Sequence, residues 1–137
     1  MANGSESPVP LIGRILVSVI FIASGLMKLS SFSMMTGFMQ AKGFPLPAVF
    51  LAGAAALEIF GGLAVLLGFQ ARAAAWALFV YLIPTTIVFH NFWAITGAEK
   101  MDAQGHFFKN VAIMGGLLFL AAFGAVAYSI DNKRVSA

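Results

Sequence analysis

Four apolar blocks, each about 20 residues long, leave few folds open to this sequence. They run over about residues 10–29, 48–69, 73–93 and 107–129. As a helix rising about 1.5 Å per residue, each block covers about 30 Å, the hydrocarbon thickness of a bilayer. Backbone in hydrocarbon must satisfy its own hydrogen bonds, so these blocks are predicted to be transmembrane helices. No alternating strand pattern competes with that reading. The expected fold is all-α, an integral membrane four-helix antiparallel bundle forming one domain over residues 1–137.

Composition agrees. Hydrophobic residues make up 61% of the chain and charged residues only 9%, against about 25% in a soluble domain. Mean hydropathy is +0.94. A soluble chain of 137 residues could not hide so much apolar surface. The basic residues are scattered and form no nucleic-acid patch. There is no cysteine, which excludes disulfides, thiolate metal sites and dithiol relays. Met1 to Pro10 holds no Lys or Arg, so the first block reads as a retained span rather than a secretory signal.

The connections add detail. Residues 30–47 mix Phe32, Phe38, Phe44, Met34, Met35 and Met39 with polar residues, which suggests a short interfacial helix. Gly68 to Arg72 is a tight turn, making the second and third spans a hairpin. Gly97 to Gly105 is the most charged loop, with Glu99, Lys100 and Asp102. Both termini are expected on one side. That side holds Arg14, Arg72, Lys133 and Arg134, and the other holds Lys28, Lys42, Lys100 and Lys109. Such a balance gives no orientation from positive charge.

Glu58 is the most informative residue. It lies near the middle of the second span, where a carboxylate is expensive and is by default a functional candidate. Ala54, Ala55, Gly61 and Gly62 make its face narrow, so it is expected to look into the bundle, as a ligand group or within a structural ion pair. Arg14 is its expected partner, roughly 8–9 Å away in depth and able to fork onto both oxygens. Snorkelling to headgroups is the other reading of Arg14. Lys28 shares a helical stripe with Arg14, Ser18, Phe21 and Gly25, and at a helix end it reads first as an interfacial anchor. His90 lies at the end of the third span with Thr86 one turn earlier on the same face. It is a candidate proton donor or hydrogen bond to a ligand oxygen, or a member of an aromatic belt with Phe92 and Trp93. Asn110 is expected opposite His90, near the same membrane surface, although an ordinary polar helix start also accounts for it. His90 and His106 alone make a weak metal signal, and no metal is expected. Pro84 predicts a kink in the third span, the Gly61-Gly62 and Gly115-Gly116 pairs read as packing features, and the seven methionines read as gap fillers. No P-loop, dinucleotide fingerprint, haem attachment motif or nucleophilic triad is present.

Taken together, Arg14, Gly25 and Lys28 in the first span, Glu58-Ile59-Phe60-Gly61-Gly62 with Gly68 in the second, Phe89-His90-Asn91-Phe92-Trp93 closing the third, and Lys109-Asn110-Val111-Ala112 with Gly115-Gly116 opening the fourth resemble the DoxX family of small bacterial membrane proteins. The similarity runs over about residues 11–128. The resemblance implies a four-helix bundle in the bacterial inner (plasma) membrane with cytoplasmic termini. It also implies quinone-linked redox or detoxification work, since family members accompany quinol oxidation, thiosulfate:quinone oxidoreduction and quinone or catechol defence. Activities based on membrane thiols do not carry over to a chain without cysteine.

The leading expectation is a subunit that binds a quinone or a small aromatic between the helices. Arg14, Lys28, Glu58, His90 and Asn110 are its ligand-binding candidates, with Phe89 and Trp76 along the wall. A quinone is the only cofactor suggested. Its electrons would come from a redox partner protein, the lipid bilayer is the other partner, and an oligomer is compatible. The rival is a non-catalytic assembly protein whose polar residues hold the bundle together. A small transporter ranks below both, because no internal repeat is visible.

Overall fold

The computed structural model describes residues 7–135. The opening of the N-terminal stretch without Lys or Arg, Met1 to Glu6, lies outside the described residues.

Among the described residues six helices follow one another: α1 Val9–Ser30, α2 Phe32–Ala41, α3 Pro47–Leu67, α4 Ala71–Phe89, α5 Glu99–Phe123 and α6 Ile130–Val135. A 3-10 turn, Phe92–Ala94, lies between α4 and α5. Four of these helices, α1, α3, α4 and α5, are long and apolar enough to cross a membrane. Prolines open α1 and α3, where a missing N–H costs nothing. Gly68 ends α3 at φ +64°, and the Phe69 N–H returns to the Ala64 carbonyl at 2.9 Å. This left-handed stop makes the tight turn to α4.

The interfacial helix forms as α2. Met39 is buried beneath it while Met34 and Phe38 point outward. Phe44, just beyond, stacks on Phe89 at 5.6 Å and meets Phe50 edge-on at 5.2 Å.

The fourth span is displaced from its expected place. α5 begins at Glu99, so most of the charged loop is in fact its first turns. Glu99 and Asp102 sit where the positive end of the helix dipole favours acids. α5 ends at Phe123 and not near Ser129, because Gly124 turns the chain away at φ +78°. Residues 124–129 then fold back without regular structure.

The core is narrow. Phe21, Val65, Ala75, Leu78, Leu82, Leu117 and Ala121 form one buried cluster. Large side chains such as Leu16, Leu26, Phe60, Val80 and Phe119 face outward, as a lipid-facing surface requires. α1 packs closely on α3 because glycines allow it. A Cβ added at Gly25 would come within 2.6 Å of Ile59 Cγ1 and 3.0 Å of the Ala55 carbonyl oxygen, and one at Gly62 within 2.9 Å of Ile22 Cγ1. These contacts set the register of the two helices.

Candidate functional site

The α1–α3 register brings Lys28 level with Glu58. The Lys28 ammonium donates to Glu58 Oε2 at 2.9 Å and to Ser24 Oγ at 2.7 Å. From α4 the Tyr81 hydroxyl donates to Glu58 Oε1 at 2.7 Å. Both carboxylate oxygens are thus engaged, and Glu58 is only 4% exposed. A carboxylate so placed stays tolerable because a cation and a hydroxyl replace its water.

A second polar pair lies beside the first. Asn110 of α5 donates from Nδ2 to Thr86 Oγ1 at 3.0 Å, and both residues are buried. His90 follows at the end of α4, half-buried, its ring stacked on that of His106 at 5.1 Å. The Lys109 ammonium reaches His106 Nδ1 at 3.0 Å.

These groups surround a small cavity of about 120 Å³. Its polar walls are Ser24, Lys28, Glu58, Thr85, His90, Lys109 and Asn110, and its apolar walls are Ile20, Phe21, Leu82 and Ile113. Four spans contribute to it, so its shape depends on the whole bundle. Ligand sites for drug-sized molecules run to about 300 Å³ and above. This cavity therefore has room for a single ring or a few solvent molecules, not for a dinucleotide.

The DoxX family model matches residues 9–91, which include Lys28, Glu58, Tyr81 and His90. The chain belongs to the DoxX family. It is 34% identical over 131 residues to the inner membrane protein YphA of Escherichia coli (strain K12), covering 95% of this chain and 94% of that protein. It is 38% identical over 130 residues to the inner membrane protein YqjF of the same organism, covering 90% and 92%. A shorter match, 28% over 78 residues, reaches 57% of this chain and 25% of the ER-derived vesicles protein ERV29 of Saccharomyces cerevisiae (strain ATCC 204508 / S288c). No solved structure matches the chain.

In this DoxX chain four of the five expected site residues, Lys28, Glu58, His90 and Asn110, line one cavity. Arg14 does not. Its guanidinium lies at the far end of α3, roughly 11 Å beyond Glu58 at 1.5 Å per residue. There it donates to the carbonyls of Leu66 at 3.1 Å, Ala127 at 3.0 Å and Tyr128 at 2.7 Å, with Val65 at 3.5 Å. The expected Arg14–Glu58 pair is therefore replaced by Lys28–Glu58, and Arg14 closes the ends of α3 and of the returning chain. Lys28 is correspondingly no mere interfacial anchor.

Trp76, expected on the wall, is 51% exposed on the outer surface. Phe89 is partly buried against Phe44 and does not line the cavity. Ser24, Thr85 and Lys109 line the cavity without having been candidates, and Tyr81 and Asp131 were missed as well. Tyr81 lies one turn and a half before its Thr86 neighbour in a span otherwise read as apolar, and a lone tyrosine in a span carries little signal. Asp131, read as part of the tail, accepts the Gln70 and Ala71 N–H groups at 2.8 and 2.9 Å and so caps α4 from a distance in sequence. Among the described residues no group of three or more His, Cys, Asp or Glu is placed to hold a metal ion.

Proposed function

We propose that this DoxX protein is a membrane subunit whose bundle holds the ring of a quinone or a small oxygenated aromatic. The observation that carries this reading is the cavity itself. Buried Glu58 lies on one side with Lys28, backed by Tyr81 behind the carboxylate, His90 and Asn110 lie on another, and apolar side chains line the rest. A quinone ring needs flat apolar walls, hydrogen-bond donors at its oxygens and a nearby source of protons. Ile20, Phe21, Leu82 and Ile113 supply the walls. His90, Asn110 and Lys28 supply polar contacts, and Tyr81, Glu58 and Lys28 form a hydrogen-bonded chain able to hold or pass a proton. When bound, a quinone would supply two-electron redox chemistry, with the electrons delivered by a partner protein in the membrane. The volume of about 120 Å³ limits the occupant to a head group, with any tail leaving between helices.

The cavity lies at the end of the bundle opposite the termini. With the termini in the cytoplasm of a bacterial inner membrane, as the proposal has it, the site faces outward.

One observation favours a second reading, an assembly role. Lys28, Glu58, Tyr81 and Ser24 satisfy one another without a ligand. Gentle purification followed by solvent extraction and mass spectrometry separates the two. A quinone or aromatic at about one per chain in the wild type, lost in folded His90→Ala and Glu58→Ala, supports binding. Background lipid alone in all three sinks it in favour of assembly.

A further inference from the structure

The charges around the cavity do not cancel. Lys28 is matched by Glu58. Lys109, which also lines the cavity, has no carboxylate within ion-pair distance among the described residues, and its ammonium hydrogen-bonds to His106 Nδ1 at 3.0 Å. Asp102, the nearest acid to that ring at 3.6 Å from His106 Nε2, is largely exposed and lies beyond the imidazole. Lys42 adds a further positive charge that acts on His90. Lys28, Lys42, Lys100 and Lys109 thus stand against Glu58, Glu99 and Asp102 at this end, an excess of one cation, and Lys109 is the lysine on the cavity wall that no carboxylate pairs among the described residues.

Cavities lined by one sign of charge and walled by low dielectric concentrate counter-ions. A neutral ring would leave Lys109 with only His106 and its exposed surroundings as partners. A ring bearing one acidic oxygen would complete the balance and gain a charge-assisted hydrogen bond. We infer that the occupant of this site is a monoanionic single-ring aromatic, with a carboxylate held by Lys109. The inference rests on the aromatic-binding reading above and adds the charge of the ligand and the residue that reads it. Lys109 is exposed, so its partner meets it at the mouth of the cavity.

The test uses the full chain in nanodiscs, with empty nanodiscs as the blank. Calorimetric titration compares benzoate with methyl benzoate, the same ring without an ionisable group. The acid is expected to bind about five- to tenfold more tightly, the range for one partly solvated charged hydrogen bond. Lys109→Met should bring the acid down to the level of the ester and leave the ester unchanged. Lys109→Arg should keep the preference, and Lys100→Met, on the exposed start of α5, should do likewise. Equal binding of acid and ester, or a preference that survives Lys109→Met, overturns the anion while leaving an aromatic site in place. Binding of neither probe, in a chain whose thermal melt is intact, overturns the anion and counts against the aromatic reading as well.

Discussion

Lys28 and Glu58, 30 residues apart in sequence, meet at 2.9 Å, the carboxylate buried in the bundle and the ammonium partly so. Each makes the other tolerable. Removing one leaves the other buried and uncompensated, which costs about 3–5 kcal/mol for a buried pair in a protein interior. Lys28→Met and Glu58→Leu should each lower stability by roughly that amount, read by denaturant titration in mixed micelles. The double variant should recover most of the loss, since two apolar groups of similar size leave no stranded charge. A double variant as unstable as the sum of the singles would show that the pair is not coupled.

Tyr81 gives a finer test of the same cluster. Tyr81→Phe removes only a hydroxyl, whose hydrogen bond to the carboxylate is 2.7 Å long. A hydrogen bond to a charged group contributes about 1.5–3 kcal/mol. The variant should be less stable than the wild type by about that amount and should keep its Lys28–Glu58 pair, so it should be milder than Lys28→Met. A neutral Tyr81→Phe would mean that Glu58 is satisfied without α4.

Packing makes a prediction independent of charge. Gly25 faces the Ala55 carbonyl and Ile59 with no room for a methyl, whereas Gly13, on the same helix, has nothing within 4 Å of the added Cβ position. Gly25→Ala should therefore push α1 from α3 and cost about 1–3 kcal/mol. Gly13→Ala should be neutral or slightly stabilising, because alanine is the better helix former. Equal effects at the two positions would refute the close α1–α3 approach. The same separation would lengthen the Lys28–Glu58 contact, so any ligand retained by Gly13→Ala should be weakened in Gly25→Ala.

The parts of this molecule legible in the sequence are those set by hydropathy and local chain chemistry. Four spans follow from four apolar blocks, α2 from its mixed aromatic and polar residues, and the α3–α4 turn from Gly68. The stripe Arg14, Ser18, Phe21 and Gly25 is indeed the buried face of α1. Helix ends were less legible. Polar residues at 99–105 read as loop although they open α5, and the fourth span was expected to run to about residue 129 although Gly124, at positive φ, ends it. The partner of Glu58 was misread for a geometric reason. Depths counted from the ends of apolar blocks placed Arg14 nearer than it is, while the true register is set by where Gly25 and Gly62 allow the two backbones to close. A shift of a few residues along antiparallel helices exchanges one cation for another.

Arg14 argues the last prediction. It is 3% exposed, and its guanidinium binds carbonyls from two segments, the end of α3 and residues 127–128. The last carbonyls of a helix have no intrahelical donor, so a cation there meets both an unmet hydrogen-bonding need and the negative end of the helix dipole. Asp131 fastens the same region from the other side. Its carboxylate caps α4 and its own N–H donates to the Gly68 carbonyl at 2.9 Å. Residues 124–131 are thus held to the α3–α4 turn at two points. Arg14→Lys keeps the charge but loses the planar fork that spans four acceptors, so it should rescue little. Both Arg14→Lys and Arg14→Met should free the returning segment and expose the chain near Ala125–Tyr128 to added protease, detected by mass spectrometry of the cleavage products. The cavity lies at the opposite end of α3, so Lys28–Glu58 and any bound ring should be kept. Protease resistance equal to the wild type in Arg14→Met would show that Asp131 alone is sufficient. Loss of ligand together with the C-terminal segment would show instead that the two ends of the bundle are mechanically linked.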